Sequence, residues 1–151
     1  MTTALRDLDS YSEFAAGIIL RRFPEWDRYA KTCLEGGAEF EIPCPSPAVE
    51  KGLWISTANN ELTVGFQTDH CHFTDNEELC NLAVVHQGLN FAAAILKDRC
   101  GILSWYQGDR LVHTTQIKLP HKGCLPCLLS KCTRGTLRSW SGKFDRDERG
   151  G

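Results

Sequence analysis

The stretch LWISTANNELTVGFQTDHCHF, residues 53–73, decides how the chain folds. It contains two runs rich in β-branched and aromatic residues, 53–57 and 62–68, and such runs are typical of strands. The pair Asn59-Asn60 stands between them, and asparagine tolerates the positive φ that a tight turn requires. The stretch therefore predicts a β-hairpin, and if its second strand stays extended as far as His72, the side chains along it alternate between two faces.

The N-terminal residues have helical periodicity. Ser10 and Glu13 form a capping-box pattern ahead of a helix predicted over 11–22. Pro24 suits the first turn of a second helix, which the pair Gly36-Gly37 would end. The chain is therefore predicted to open with two helices, or with one kinked helix.

A strongly apolar helix is predicted after residue 73. Thr74 and Glu77 form a second capping box, and apolar residues then recur to about Asp98. A helix that is apolar around much of its circumference is usually laid across a sheet. His86 falls within it, a position that favours a buried, hydrogen-bonded histidine.

The other segments predict strands. Residues 38–42 alternate Phe40 and Ile42 with glutamates, and two runs around 107–110 form a second hairpin. A last strand is predicted within 136–145. The pattern indicates a single α+β domain over 1–151: a mainly antiparallel sheet with both hairpins, N-terminal helices, and one long apolar helix packed on it. Residues 1–9 and the charged residues 145–151 are expected to be flexible ends.

Composition narrows the class of protein. With 42% hydrophobic and 24% charged residues the chain has the composition of a soluble globular domain. Its net charge of -2 implies no general attraction to nucleic acid or membrane, and no segment approaches about 18 consecutive apolar residues. The polar N-terminus, which includes Asp7 and Asp9, does not have the pattern of a signal peptide. We therefore expect a cytoplasmic protein, in which eight cysteines are small buried side chains or metal ligands.

Two groups of residues have the chemistry of metal ligands. His70 and His72 stand two apart on a predicted strand, so both imidazoles share one face and can reach one ion. Cys124 and Cys127 form a C-x-x-C pair, with Cys132 as a third sulfur. Histidines at a strand end and cysteines among leucines are more often structural, so we predict neither metal nor cofactor. A metal-dependent enzyme at His70 and His72, and a zinc-stabilised interaction module at the cysteines, remain as alternatives.

Motifs of catalysis are absent from the sequence. It contains no G-x-S-x-G, no P-loop, no G-x-G-x-x-G and no H-E-x-x-H. With eight cysteines and five histidines, a Cys-His pair can arise by chance. The chain is therefore not predicted to be an enzyme.

Several features instead indicate binding to another protein. The hairpin of 53–73, the acidic start of the following helix and the late SWSG segment resemble small bacterial immunity proteins, which are encoded beside polymorphic or contact-dependent toxins. The resemblance covers about residues 53–144. It implies a cytoplasmic protein that neutralises one cognate toxin by tight, stoichiometric binding without catalysis. It also implies framework roles for five residues: Trp54, His70, His72, Trp140 and Gly142.

The charged residues give the expected contact surface. Asp75, Glu77 and Glu78 lie at the start of the predicted long helix, and Arg110 and Asp145 lie beside aromatic residues. Aromatic and charged side chains of this kind are favoured in interfaces. We expect these five residues to meet a toxin domain, with neither nucleic acid nor membrane as a partner.

Overall fold

A computed structural model describes residues 5–33, 35–74, 81–122 and 133–149. In this part the chain is α+β, with antiparallel sheets. It divides into two compact units. The first comprises Met1–Pro43, Gly52–Gly65 and His70–Ala92, and the second comprises Cys44–Lys51, Phe66–Asp69 and Ala93–Gly151. In the ranges described, no helix is both long and apolar enough to cross a membrane.

The first helix, α1, spans Ser10–Arg22. Its cap differs from the predicted capping box, because Asp9 is the N-cap residue and accepts a hydrogen bond from the Ser12 amide at 2.7 Å. An aspartate at this position satisfies an amide that the helix itself leaves unpaired. The helix buries one side, which includes Ala15, Ala16 and Ile19, and it packs against the second strand of the sheet.

The predicted second helix is wrong beyond its first turns. Pro24–Tyr29 forms a 3₁₀ helix, and Ala30–Thr32 then forms strand β1. Buried Ala30 lies opposite Phe40 of the next strand, β2 (Ala38–Ile42), so pairing within the sheet outweighs the helical pattern. Gly36, with φ of +75°, belongs to the turn between β1 and β2 and not to the end of a helix.

Unit 1 contains most of a five-stranded sheet. The strands are β1, β2 (Ala38–Ile42), β3 (Leu53–Ser56), β4 (Leu62–Phe66) and β5 (Asp69–Phe73), adjacent in that order. The predicted hairpin of β3 and β4 is confirmed, and Asn59 and Asn60 at its turn have φ values of 61° and 56°. The predicted alternation in β2 is also confirmed, because Phe40 and Ile42 are buried and Glu41 is exposed.

The chain does not stay extended from Leu62 to His72. A turn at Gln67, whose φ is +55°, separates β4 from β5. The Gln67 amide donates to the Lys51 carbonyl at 3.0 Å, and its side-chain oxygen accepts from the Glu50 amide at 3.0 Å. These bonds hold Gln67 in a conformation that its residue type does not favour. The predicted sharing of a face by His70 and His72 survives, since both are exposed on β5.

The second helix, α2, spans Asn81–Leu96. It contacts the sheet closely at Gly88, where an added Cβ would come within 2.3 Å of a Leu62 side-chain carbon. Leu89 is fully buried in it. His86 is exposed, so the prediction of a buried histidine is wrong. The reason is its position on a stripe spaced by four residues, with the exposed residues Leu82 and Asn90.

Unit 2 contains a second sheet, so the prediction of one sheet holding both hairpins is wrong. Its strands are adjacent in the order β7-β6-β8-β9. Their bounds are Cys100–Gln107 (β6), Arg110–Lys118 (β7), Arg134–Arg138 (β8) and Arg146–Arg149 (β9). The predicted hairpin around Gly108 is confirmed by pairing of Gln107 with Arg110. A core cluster of Leu103, Trp105, Leu119 and Leu137 is packed against Phe144.

The charged C-terminal residues are not a free tail. Strand β9 pairs with β8, and its Asp147 carboxylate lies 2.7 Å from the Arg138 guanidinium. Alternating charged residues suit an edge strand, because one face is solvated and the charges discourage further pairing. The expectation of a flexible end is therefore wrong for Arg146–Arg149.

Candidate functional site

The outward side of the five-stranded sheet is the candidate site. Cross-strand register places Lys31 opposite Glu39, Glu39 opposite Ser56, and Glu41 opposite Trp54. Directly opposed residues in a sheet lie on the same face. We name this surface the open face and define it by nine residues: Lys31, Glu39, Glu41, Trp54, Ser56, Thr63, Gly65, His70 and His72. The other face contains the buried apolar residues Phe40, Ile42, Leu53, Ile55, Leu62 and Val64.

Trp54 is the largest side chain on the open face. Its indole lies over Gly65 of the neighbouring strand so closely that an added Cβ would stand 2.1 Å from Cε2. The ring centroid of His70, on the next strand, lies 5.9 Å from that of Trp54. A glycine beneath an aromatic ring lets the ring lie flat on the sheet, where Trp54 stays half-buried.

His72 continues this row and is held by hydrogen bonds. Its ring lies 4.9 Å from that of His70, nearly perpendicular to it. Nδ1 of His72 lies 2.6 Å from the Glu61 carboxylate and 3.1 Å from the Thr63 hydroxyl, which itself donates to Glu61 at 3.2 Å. An ionised carboxylate can only accept, so Nδ1 of His72 carries a hydrogen. In the neutral ring, Nε2 is then the acceptor.

A group of charges lies at the other end of the open face. The Lys31 ammonium is 2.8 Å from Glu41 and 3.3 Å from Glu39. The hydrogen bond to Glu41, followed by that to Glu39, raises the pKa of Lys31 above its ordinary value. These groups are well exposed, so the pairs fix side-chain positions more than they stabilise the fold. With Glu61 at the rim, the face carries three carboxylates against one ammonium.

Of the candidate metal ligands, the structure describes the two histidines and not the three cysteines. His70 and His72 are together on β5, whereas the Asp69 carboxylate accepts a hydrogen bond from the Thr114 hydroxyl at 2.9 Å. Over the described ranges, no group of three or more His, Cys, Asp or Glu side chains is placed to hold a metal ion. Cys124, Cys127 and Cys132 lie outside the described residues.

The predicted partner-binding residues have different outcomes. Asp75, Glu77 and Glu78 lie outside the described residues, and Arg110 is exposed at the start of β7. The Asp145 carboxylate accepts from the Ser139 amide at 2.6 Å and from the Ser46 hydroxyl at 2.9 Å. These bonds hold the Asp145 carboxylate in the loop before β9, and its place on a contact surface stays a prediction.

The same loop contains two of the framework residues suggested by resemblance. Gly142 has φ of +78°, a conformation that favours glycine. Trp140 packs its ring against Phe66 at 5.9 Å, and its carbonyl accepts a hydrogen bond from the Cys44 thiol at 3.0 Å. Burial, followed by the charges of two aspartates, raises the pKa of the Cys44 thiol. This loop is therefore held within unit 2 by hydrogen bonds and ring packing.

Sequence reasoning missed two contributors to the open face. Glu61 has no distinguishing pattern in the sequence, because its contact with His72 depends on the pairing of β4 with β5. Gly65 carried a usable signal, since glycine inside a strand often marks a close approach. The arrangement provides an aromatic and histidine row beside fixed charges, which suits noncovalent binding.

No family model, no curated protein and no solved structure matches this sequence.

Proposed function

We propose that the chain is a cytoplasmic immunity protein that neutralises a cognate bacterial toxin domain by stoichiometric binding, and that it has no catalytic activity of its own. The observation that carries the proposal is the open face, where half-buried Trp54 and the exposed His70 and His72 form a row of rings on the sheet. Tryptophan is among the residues that contribute most to binding energy in protein interfaces. A sheet positions such anchors in advance and lowers the entropy lost on binding.

Charge supports a basic partner. The open face and its rim hold three carboxylates and one ammonium group. Among the carboxylates the Glu41 side chain is the most exposed, at 65%. We also propose that the apolar helix is longer and begins at Thr74, which would put Asp75, Glu77 and Glu78 in its first turn. Acidic residues are favoured there by the helix dipole, and together these groups complement a basic toxin domain such as a nuclease.

Affinity sets what the interface must supply. Neutralising a toxin at low copy number requires nanomolar binding or better, which corresponds to roughly 12 kcal/mol or more. A few aromatic and charged anchors usually provide most of that free energy. The ring of Trp54, flanked by His70, is the best-placed aromatic anchor on the open face.

Co-expression tests the proposal. The product of the gene directly upstream should arrest growth when expressed alone, and this chain should protect cells at about one-to-one stoichiometry. Unrelated toxins should remain lethal. If the purified pair forms no complex in size-exclusion chromatography, and this protein instead turns over a small substrate, the proposal is wrong.

Charge-reversal variants distinguish an effect on the rate of association from an effect on folding. Glu77→Lys with Glu78→Lys should slow association with the toxin, because exposed charges act mainly on the rate of encounter. Lys118→Glu is the matched control, since it reverses an exposed charge in unit 2 at a residue outside the expected contact surface. If the Glu77→Lys/Glu78→Lys variant associates as fast as the parent, the acidic residues are not part of the contact surface.

A further inference from the structure

We propose that His70 and His72 form an open binding site for one divalent late transition-metal ion, with Glu61 as the residue that positions His72. This metal site lies on the same open face as the proposed toxin-binding row, and its test does not require the toxin. Neutral imidazole nitrogens are good ligands for Zn²⁺, Ni²⁺ and Cu²⁺. Both histidine side chains are exposed on one face of β5, so water can occupy the remaining coordination positions.

The distance between the rings fits one shared ion. An imidazole nitrogen binds such ions at about 2.0–2.1 Å, which puts ring centroids of two adjacent ligands about 4.5–5.2 Å apart. The observed separation of the His70 and His72 rings is 4.9 Å. The separation of the two rings is therefore compatible with a shared ion.

Glu61 supplies the second argument. Histidine ligands commonly donate their other ring N–H to a carboxylate, which fixes the tautomer and makes the ligating nitrogen more basic. The bond of 2.6 Å between Nδ1 of His72 and Glu61 has this arrangement, and it leaves Nε2 as the ligating atom. The Thr63 hydroxyl, which donates to the same carboxylate at 3.2 Å, keeps Glu61 in place.

Binding of Ni²⁺ to the full-length protein tests the site. Calorimetric titration should show a site of one equivalent that His70→Ala or His72→Ala removes. Glu61→Gln should weaken it by about 10–100-fold, as is typical when a positioning carboxylate is lost. Two exposed histidines elsewhere are the matched controls, so His86→Ala and His113→Ala should bind as the parent does.

Spectroscopy identifies the ligands separately from affinity. In ¹H–¹³C NMR spectra of the histidine rings, substoichiometric Ni²⁺ should broaden the signals of His70 and His72 before those of His86. Circular dichroism checks folding, and His70→Gln and His72→Gln replace any alanine variant that unfolds. The proposal is overturned if no saturable binding is seen, or if binding survives in both the His70 and His72 variants.

Discussion

Replacing Gly65 by alanine tests the packing on which the open face depends. Three indole atoms of Trp54 stand 2.1, 2.3 and 2.4 Å from the position of the added Cβ, so the ring must leave the sheet. Such overpacking typically costs about 1–3 kcal/mol. Gly65 does not have a positive φ, so backbone strain adds nothing to this cost.

A double-mutant cycle isolates the clash. In a Trp54→Ala background the indole is absent, and Gly65→Ala should then stabilise by about 0.4–1 kcal/mol through the unfolded chain. The coupling between the two positions should therefore be about 1.4–4 kcal/mol, measured as the difference between the two effects on the free energy of urea unfolding. Equal effects of Gly65→Ala in both backgrounds would refute the placement of Trp54 over Gly65.

Three further predictions concern the fold and its chemistry. Leu89→Asp should unfold the protein in circular dichroism, because it buries an unpaired charge, whereas Asp147→Ala should change the free energy of unfolding by less than about 1 kcal/mol; a folded Leu89 variant would contradict the first. Thr57→Val should cost about 1–3 kcal/mol, because the buried hydroxyl accepts from the Ala38 amide at 2.8 Å, and a neutral result in urea unfolding would contradict this role. Alkylation of Cys44, followed by mass spectrometry across a pH series, should have a higher midpoint in folded than in urea-unfolded protein, since burial raises its pKa; coincident midpoints would count against it.

Local patterns predicted the strands that have one buried face. Phe40 and Ile42 alternate with glutamates, and that alternation alone determines which side of β2 enters the core. The turn at Gln67 could not be predicted in the same way, because it contains neither glycine nor asparagine. Its conformation depends on hydrogen bonds to Glu50 and Lys51, which are distant in sequence.

Strand pairing also explains two segments whose structure the sequence patterns did not predict. Ala30–Thr32 follows a helical pattern but is held in the sheet by β2, and Arg146–Arg149 has the composition of a tail but pairs with β8. For the candidate site, alternation correctly placed His70 and His72 together. Their contacts with Trp54 and Glu61 follow from strand register, which a single sequence does not fix.

The affinity of the purified complex tests the central claim most directly. Trp54→Ala should weaken binding to the toxin domain by about 30-fold or more, the effect expected of an anchor residue worth at least about 2 kcal/mol. Phe14→Ala is the matched control, because this exposed aromatic residue lies on α1 and not on the open face, and its affinity should stay within about threefold of the parent. Equal affinity of the Trp54 variant and the parent, with both proteins folded, would contradict the claim that the open face binds the toxin.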